Sequence, residues 1–428
     1  MKAKTAKRNA ATAATIVAAV LFTAASALAG RAALWSKAAS ASVPRADGFS
    51  ATILNDGRVL LAGGSGANIA MKDAEIFDPS KGSWTPAASM IEGRSQHSAT
   101  LLPDGRVLLV GGGSEKGFQE PLAGAELYDP KANKWTASAA LPVGMYAQTA
   151  TLLKDGRVLI AGGRNAGHAP ALARCWLFDP SSGAWTETGS LAVGRTEHTA
   201  TLLADGKVLA AGGRLGGHDP SFKDASIFDP AAGSWTPVPS FMAEGRAAHT
   251  ATLLADGRVL IAGGTKEFIG GRLENVLSTS EIYDPKAQNF IPSASLAGPR
   301  ISHTAELIGG KVLVVEGLML AGKIGPAAES FDPRSGKWNP EPKPPLSSSY
   351  QAAVPMRQGC SGGGAPCRML VVGGADAGAK PMAATFGATA AGPVDKGAKA
   401  PSLPVIGVAG AVVVAVLLLV ALRRRQSG

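Results

Sequence analysis

An all-β ring of like four-stranded sheets, a β-propeller, is the fold class that the sequence predicts, and three observations predict it. The first is a stretch written again and again, of which His249-Thr-Ala-Thr-Leu-Leu-Ala-Asp-Gly-Arg-Val-Leu-Ile-Ala-Gly-Gly264 is one copy. Asp-Gly between two apolar runs is a strong short-range signal for a two-residue hairpin, because both central residues of a type I′ turn need positive φ. The second is a run ending in aromatic-Asp-Pro after each hairpin, since proline cannot donate to a ladder and closes the strand. The third is a further strand opened by an aromatic residue. Four short strands with turn punctuation, repeated near every fifty residues, make one blade of a propeller.

Taken in order, residues 1–29 combine a basic start (Lys2, Lys4, Lys7, Arg8), an apolar run from about Ala10 to Ala25 and a small-x-small site, Ala27-Leu28-Ala29. They are expected to be a signal peptide, because the run is too short and too rich in Ala and Thr for a membrane anchor. Residues 30–47 are a loose preamble containing Trp35. The hairpin turns follow at Asp56-Gly57, Asp104-Gly105, Asp155-Gly156, Asp205-Gly206 and Asp256-Gly257, with Gly309-Gly310 in the sixth unit. The second strands end at Gly63-Gly64, Gly111-Gly112, Gly162-Gly163, Gly212-Gly213, Gly263-Gly264, Glu316-Gly317 and Gly373-Gly374. Third strands end at Asp78-Pro79, Asp129-Pro130, Asp179-Pro180, Asp229-Pro230, Asp284-Pro285 and Asp332-Pro333. Fourth strands open at Trp84, Trp135, Trp185, Trp235, Phe290 and Trp338.

This pattern resembles the kelch repeat, whose signature is a glycine doublet, then an aromatic residue, then Trp. The resemblance covers about residues 35–386, and Phe290 for Trp, Glu316 for Gly and a last unit without Asp-Pro are its departures. Seven doublets against six Asp-Pro/aromatic pairs leave the final unit without its outer strand. Trp35 precedes Trp84 by 49 residues, and Arg45 precedes Arg94 by the same interval. The segment at Trp35 is therefore expected to supply the fourth strand of the last of seven blades, which removes a free edge. Six blades with a ragged terminus is the alternative. The propeller is assigned residues 30–386.

Residues 387–402, rich in Ala, Gly, Lys and Pro, read as a flexible tether. Residues 403–422 carry no charge and are long enough for a transmembrane helix, and Arg423–Arg425 in the tail 423–428 mark its cytoplasmic side. The propeller is thus expected outside the cytoplasm, anchored in the cell membrane. The tail also loosely resembles the spacer–helix–Arg signals of envelope sorting systems, which implies an outer-surface alternative, and the Ala/Gly-rich exported sequence looks bacterial. The formal charge of +10 belongs mostly to the ends, since the seven basic residues just named leave only +3 for the rest. No nucleic-acid partner is expected. Cys360 and Cys367 bracket Ser-Gly-Gly-Gly-Ala-Pro and are disulfide candidates, with a zinc pair as the other reading. Cys175 is expected to be a buried thiol.

Strand parity puts the Asp-Gly and Asp-Pro turns on one face, and the variable 2–3 loops with the 4–1 links on the other. Loops Ser114–Gly124, Arg164–Leu172, Arg214–Asp224 and Thr265–Thr279 are the expected binding surface. The links carry Arg45, Arg94, Arg195, Arg246 and Arg300, with Met145 breaking the series. They form either a guanidinium ring at the central mouth, suited to carboxylate or phosphate, or repeated inter-blade ion pairs. His97, His198, His249 and His303 share one position, where Gln148 replaces His, and are expected to be structural. His168 and His218 lie in matched loops with Arg164, Arg214 and Asp219. The loops could converge as a ligand or metal site, or simply reflect a duplicated surface loop.

Galactose oxidase-like copper enzymes share the kelch propeller, and that resemblance implies two His and two Tyr ligands with one Tyr cross-linked to Cys. Tyr128 and Tyr283 are repeat aromatics here, and Cys175 sits just before one, so no cofactor is expected. The Asp-Pro-x-x-Gly turns do not match the Asp-x-Gly of a sialidase box. No His-Glu-x-x-His or phosphate loop occurs. The expected function is a non-catalytic, envelope-exposed module that binds a protein or glycan. An enzyme acting on an acidic saccharide through the arginine ring is the alternative.

Overall fold

Among the described residues, seven four-stranded antiparallel sheets organise the fold. The computed structural model describes residues 35–45, 47–66, 69–117, 120–166, 169–216, 219–269, 272–318, 328–342, 352–355, 368–373 and 385–389. Six sheets are blades cut from continuous runs: blade 1 (49–86), blade 2 (98–138), blade 3 (149–188), blade 4 (199–237), blade 5 (250–293) and blade 6 (304–341). The last sheet is composite, ordered from inside outward as Ala352–Pro355, Arg368–Val372, Thr385–Thr389 and the N-terminal Trp35–Lys37. Trp35 pairs with Ala388 and Lys37 with Phe386. The expected seven blades, the last closed by the N-terminal strand, thus resolve into six continuous blades and one composite closing sheet, because the last unit has no outer strand of its own. Each innermost strand packs on the next, and Ala352–Pro355 touches those of both blade 6 and blade 1.

The tether expected at 387 is corrected by the strand Thr385–Thr389, which takes in its first three residues. The expected signal peptide, the 403–422 helix and the Cys360/Cys367 pair lie outside the described residues. Among the described residues, no helix is long and apolar enough to cross a membrane.

The core lies between blades. Leu108 and Val110 of blade 2 pack with Val158, Ile160 and Phe178 of blade 3, and the same pairing recurs around the ring. Each third-strand aromatic meets the fourth-strand aromatic within its blade, as in Tyr128–Trp135 at 4.8 Å and Phe178–Trp185 at 4.9 Å between ring centroids. The indole N–H groups do a second task. Trp135 Nε1 donates to the Ala88 carbonyl (2.7 Å), Trp185 to Ala139 (2.8 Å) and Trp35 to Pro342 (2.7 Å), so each holds the link entering its own sheet.

The Asp-Gly turns differ from the expected two-residue form. Gly57 has φ +84° while Asp56 stays at negative φ, and the bonds run Gly57 N to Leu54 O and Leu54 N to Arg58 O. This is a type I turn with glycine in the left-handed position, a three-residue loop. The aspartate is used otherwise: its carboxylate accepts the Arg58 amide (3.0 Å) and the Arg58 side chain (2.8 Å). Among the described turns between first and second blade strands, only Gly309-Gly310, both at positive φ, makes the two-residue turn. The doublet glycines answer to a close approach instead. A Cβ on Gly63 would lie 2.4 Å from the Arg94 carbonyl and 2.8 Å from the His97 ring of the next blade.

Candidate functional site

The link arginines are not at the mouth. Arg45, Arg94, Arg195, Arg246 and Arg300 are all fully buried, so of the two readings the guanidinium ring gives way to repeated ion pairs. Each points back into the blade that its link enters. Arg94 donates to the Gly111 carbonyl (2.8 Å) and to Glu126 (2.5 Å), and Arg246 to Gly263 (2.8 Å) and Glu281 (2.7 Å). Arg45 pairs with Glu75 at 3.2 Å, and Arg300 pairs with Glu329. The carboxylates also accept link amides: Ile91 N on Glu126, Ala243 N on Glu281 and Ala297 N on Glu329. Burial pulls the Arg246 guanidinium below its ordinary value while Glu281 pushes it back up. Arg195 differs, pairing at 3.0 Å with Asp224, whose side chain is 36% exposed.

A sequence signal for this pairing exists in the third strands. Glu75, Glu126, Glu281 and Glu329 all stand two residues before the aromatic, whereas blade 3 has Trp176 there. Blade 3 is also the one whose link carries Met145 in place of arginine, and both residues are buried in one apolar cluster. Blade 3 loses charge at both positions together, and in blade 4, where Ser226 takes the glutamate position, Arg195 finds Asp224 instead, as expected when an unpaired buried charge is costly.

The repeated histidines join blades. His97 Nε2 meets Ser50 Oγ at 2.9 Å, His198 meets Thr149 at 3.0 Å, His249 meets Thr199 at 3.0 Å and His303 meets Thr250 at 2.9 Å. Burial pushes His97, His198 and His303 down to about 3, with the neighbouring arginine adding to the effect. An unfolded histidine titrates near 6.5. Below that pH the unfolded chain gains a proton that folded His198 refuses. Stability is therefore whole above about pH 6.5 and declines as pH falls towards 3, by about 1.4 kcal/mol per pH unit for each such histidine. Replacing His198 with Gln, the residue blade 3 uses as Gln148, should flatten the slope by that amount between pH 5.5 and 4. Urea midpoints at stepped pH test this, and an unchanged slope would place the proton uptake elsewhere.

What does face the loop-side mouth is a rim of left-handed residues: Gly48, Gln96, Ala147, Glu197, Ala248 and Ser302. Their backbones run in series, Gln96 N to Gly48 O (2.7 Å), Ala147 N to Gln96 O (3.0 Å), Ala248 N to Glu197 O (3.0 Å) and Ser302 N to Ala248 O (3.2 Å). Behind the rim, Arg164 bridges Tyr146 and Arg214 bridges Thr196. Arg214 pairs with Glu197 at 2.5 Å, and Arg164 donates to the Ala169 carbonyl at 3.1 Å. Burial raises the Tyr146 phenol, Arg164 opposes that and Glu197 adds to it. Of the predicted candidates, Arg164 and Arg214 therefore lie behind the rim of blades 3 and 4, with Tyr146, which like Arg214 is buried, and with Glu197, both passed over by sequence reasoning.

Asp219 is exposed. His168 and His218 lie outside the described residues. Among the described residues, no cluster of three His, Cys, Asp or Glu side chains could hold a metal ion. The copper-type ligands fare no better. Cys175 is buried with its thiol pushed up to about 11, and the Tyr128 hydroxyl is spent on Asn133 at 2.8 Å.

The loops form a belt. Ala171 N of the blade 3 loop donates to Leu215 O of the next, and Ser221 N to Lys266 O of the next again. Thr265–Thr279 carries a two-stranded ribbon, Thr265–Ile269 with Arg272–Val276. Between the loops of blades 1 and 2 lies an open groove of about 310 Å³ lined by Lys72, Glu92, Glu115, Lys116 and Glu120.

Comparison with known proteins agrees with this architecture. Residues 96–317 match the KLHDC2/KLHL20/DRC7 kelch-repeats domain, and residues 49–91 match the kelch motif. Among solved structures, a fungal alcohol oxidase of the AA5 family, in complex with copper, is 18% identical with a TM-score of 0.64, covering 83% of this chain and 76% of its own. The protein YjhT is 18% identical with a TM-score of 0.57, covering 72% of this chain and 100% of its own. At that identity the likeness is one of fold. No protein with a curated description matches the sequence. With the family match spanning more than half of its length, the chain belongs to the kelch-repeat family of β-propellers.

Proposed function

We propose that this kelch propeller is a non-catalytic binding module whose loop face docks a protein partner in the cell envelope. The observation that carries the reading is the asymmetry of the two faces. Of the large apolar side chains exposed among the described residues, Ile69, Ile91, Val193 and Phe241 belong to loops or links of the loop face. Phe241 is 66% exposed. The turn face carries short turns in which Arg58, Arg106, Arg157 and Arg258 each close on their own aspartate. An apolar set rimmed by charge is the usual composition of a protein-docking surface. A glycan would use the polar mouth at Tyr146, Arg164, Glu197 and Arg214 instead.

The ends support an exported, membrane-tethered setting of bacterial type: a signal-like 1–29, then 403–422 followed by Arg423–Arg425. Delivery to the outer surface follows if that tail is a sorting signal.

Envelope extract passed over the immobilised protein tests the docking surface. A partner retained by the parent and by a turn-face variant, Lys131→Glu, but lost from Ile91→Ser/Phe241→Ser supports the loop face. Retention by the loop-face double variant would overturn it. Protease treatment of intact cells, with and without residues 401–428, reports on the tether.

A further inference from the structure

One turn on the opposite face departs from its fellows. In blades 1, 2, 3 and 5 the Asp-Gly turn is followed by arginine, and that arginine neutralises the turn aspartate at 2.6–2.7 Å. Blade 4 has Lys207 instead, and its ammonium turns away to Asp229 at 3.0 Å. Asp205 keeps the amide of Lys207 on Oδ1 (3.0 Å) and, among the described residues, makes no contact ion pair, although Lys207 and Lys154 lie beside it.

Beside it runs a groove of about 230 Å³ between blades 4 and 5, whose lining includes the Lys207–Asp229 pair together with Asp205, Ile227, Val238 and Tyr283. Here too the blade departs from its neighbour. In blade 2 the Tyr128 hydroxyl is held by Asn133, but in blade 5 the matching residue is Gln288 and the Tyr283 side chain has no hydrogen bond among the described residues. The Tyr283 phenol is pushed up to about 12, first by burial and then by the charges of Asp205 and Asp284. It therefore stays neutral and available.

We propose that this groove is a site for an alkylammonium group, with Asp205 as its counter-ion, the Tyr283 hydroxyl as a second acceptor and Val238, Pro237 and Ile227 against its stem. A charge-assisted bond to a carboxylate beside an apolar wall suits a primary amine on a short hydrocarbon chain. The same chemistry is offered by the lysine side chain of a partner protein and by a free alkylamine.

The test is saturation-transfer NMR on the full chain in detergent, titrating Nα-acetyl-lysine methylamide and, separately, n-butylammonium chloride at constant ionic strength. Saturable binding is expected, weakened at least tenfold in Asp205→Asn, which keeps the turn's amide bond, and unchanged in Asp256→Asn. Lys207→Arg restores the closed Asp-Gly-Arg turn and should abolish binding with the fold intact. Tighter binding of the lysine derivative identifies a partner's side chain, and tighter binding of butylammonium a free amine. Equal binding to Asp205→Asn and the parent, or no saturable signal from either compound, would overturn the site.

Discussion

Replacing Arg246 with methionine should destabilise the propeller by about 3–5 kcal/mol, because Glu281 is left charged inside the protein. The Glu281 side chain is 4% exposed, so water cannot take the place of the guanidinium. Arg195→Met should cost clearly less, since Asp224 can turn to solvent. Removing both charges together, as Arg246→Met/Glu281→Leu, should recover much of the loss. Blade 3 already carries the apolar version of this pair in Met145 and Trp176. What the double variant cannot recover is the set of bonds that Arg246 donates to the Gly263 and Thr279 carbonyls. Urea unfolding of the four proteins decides the matter. Equal losses for Arg246→Met and Arg195→Met would show that the lost carbonyl bonds, not the stranded charge, set the cost.

Trp35→Ala should cost a similar amount, about 3–5 kcal/mol, by removing a buried indole from the outer strand of the closing sheet. Trp35 is 8% exposed, and its Nε1 holds the Pro342 carbonyl of the link from blade 6. Deleting residues 30–44 goes further, since Thr385–Thr389 then loses its neighbour and presents a free edge. An unpaired edge invites pairing between molecules. The deletion should therefore lower the unfolding midpoint and produce concentration-dependent association on size-exclusion chromatography. A monomer with the parent's midpoint would mean that the N-terminal strand contributes nothing to closure.

The third-strand glutamates show a signal that was present in the sequence and easy to miss. They stand at one repeat position, and their absence in blade 3 coincides with the absence of the link arginine. Read alone, five arginines at one spacing look like a binding ring. Read with the acidic residues 29 to 35 positions further on, four glutamates and Asp224, they are internal ion pairs. The histidines were easier, because Gln148 in the same series already argued for a hydrogen-bonding role. The Arg164/Arg214 cluster was half legible. The doublet-plus-Arg loops named the arginines, but Tyr146 and Glu197 reach them only across the rim.

The sequence by itself determined the hairpin repeat, the aromatic pair in each blade and the N-terminal strand that closes the ring. These follow from local rules, namely apolar alternation, turn residues and a fixed interval of 49 residues between Trp35 and Trp84. Tertiary structure decided which charges are buried, which turn type the Asp-Gly pairs adopt and where a charge is left unpaired. Burial is set by neighbouring links and blades, not by the residue itself. The aspartate of an Asp-Gly turn can accept its own arginine only once the backbone has chosen the three-residue loop. Asp205 stands open for the same reason: its lysine finds a better partner in Asp229, a residue that only the folded blade brings within reach.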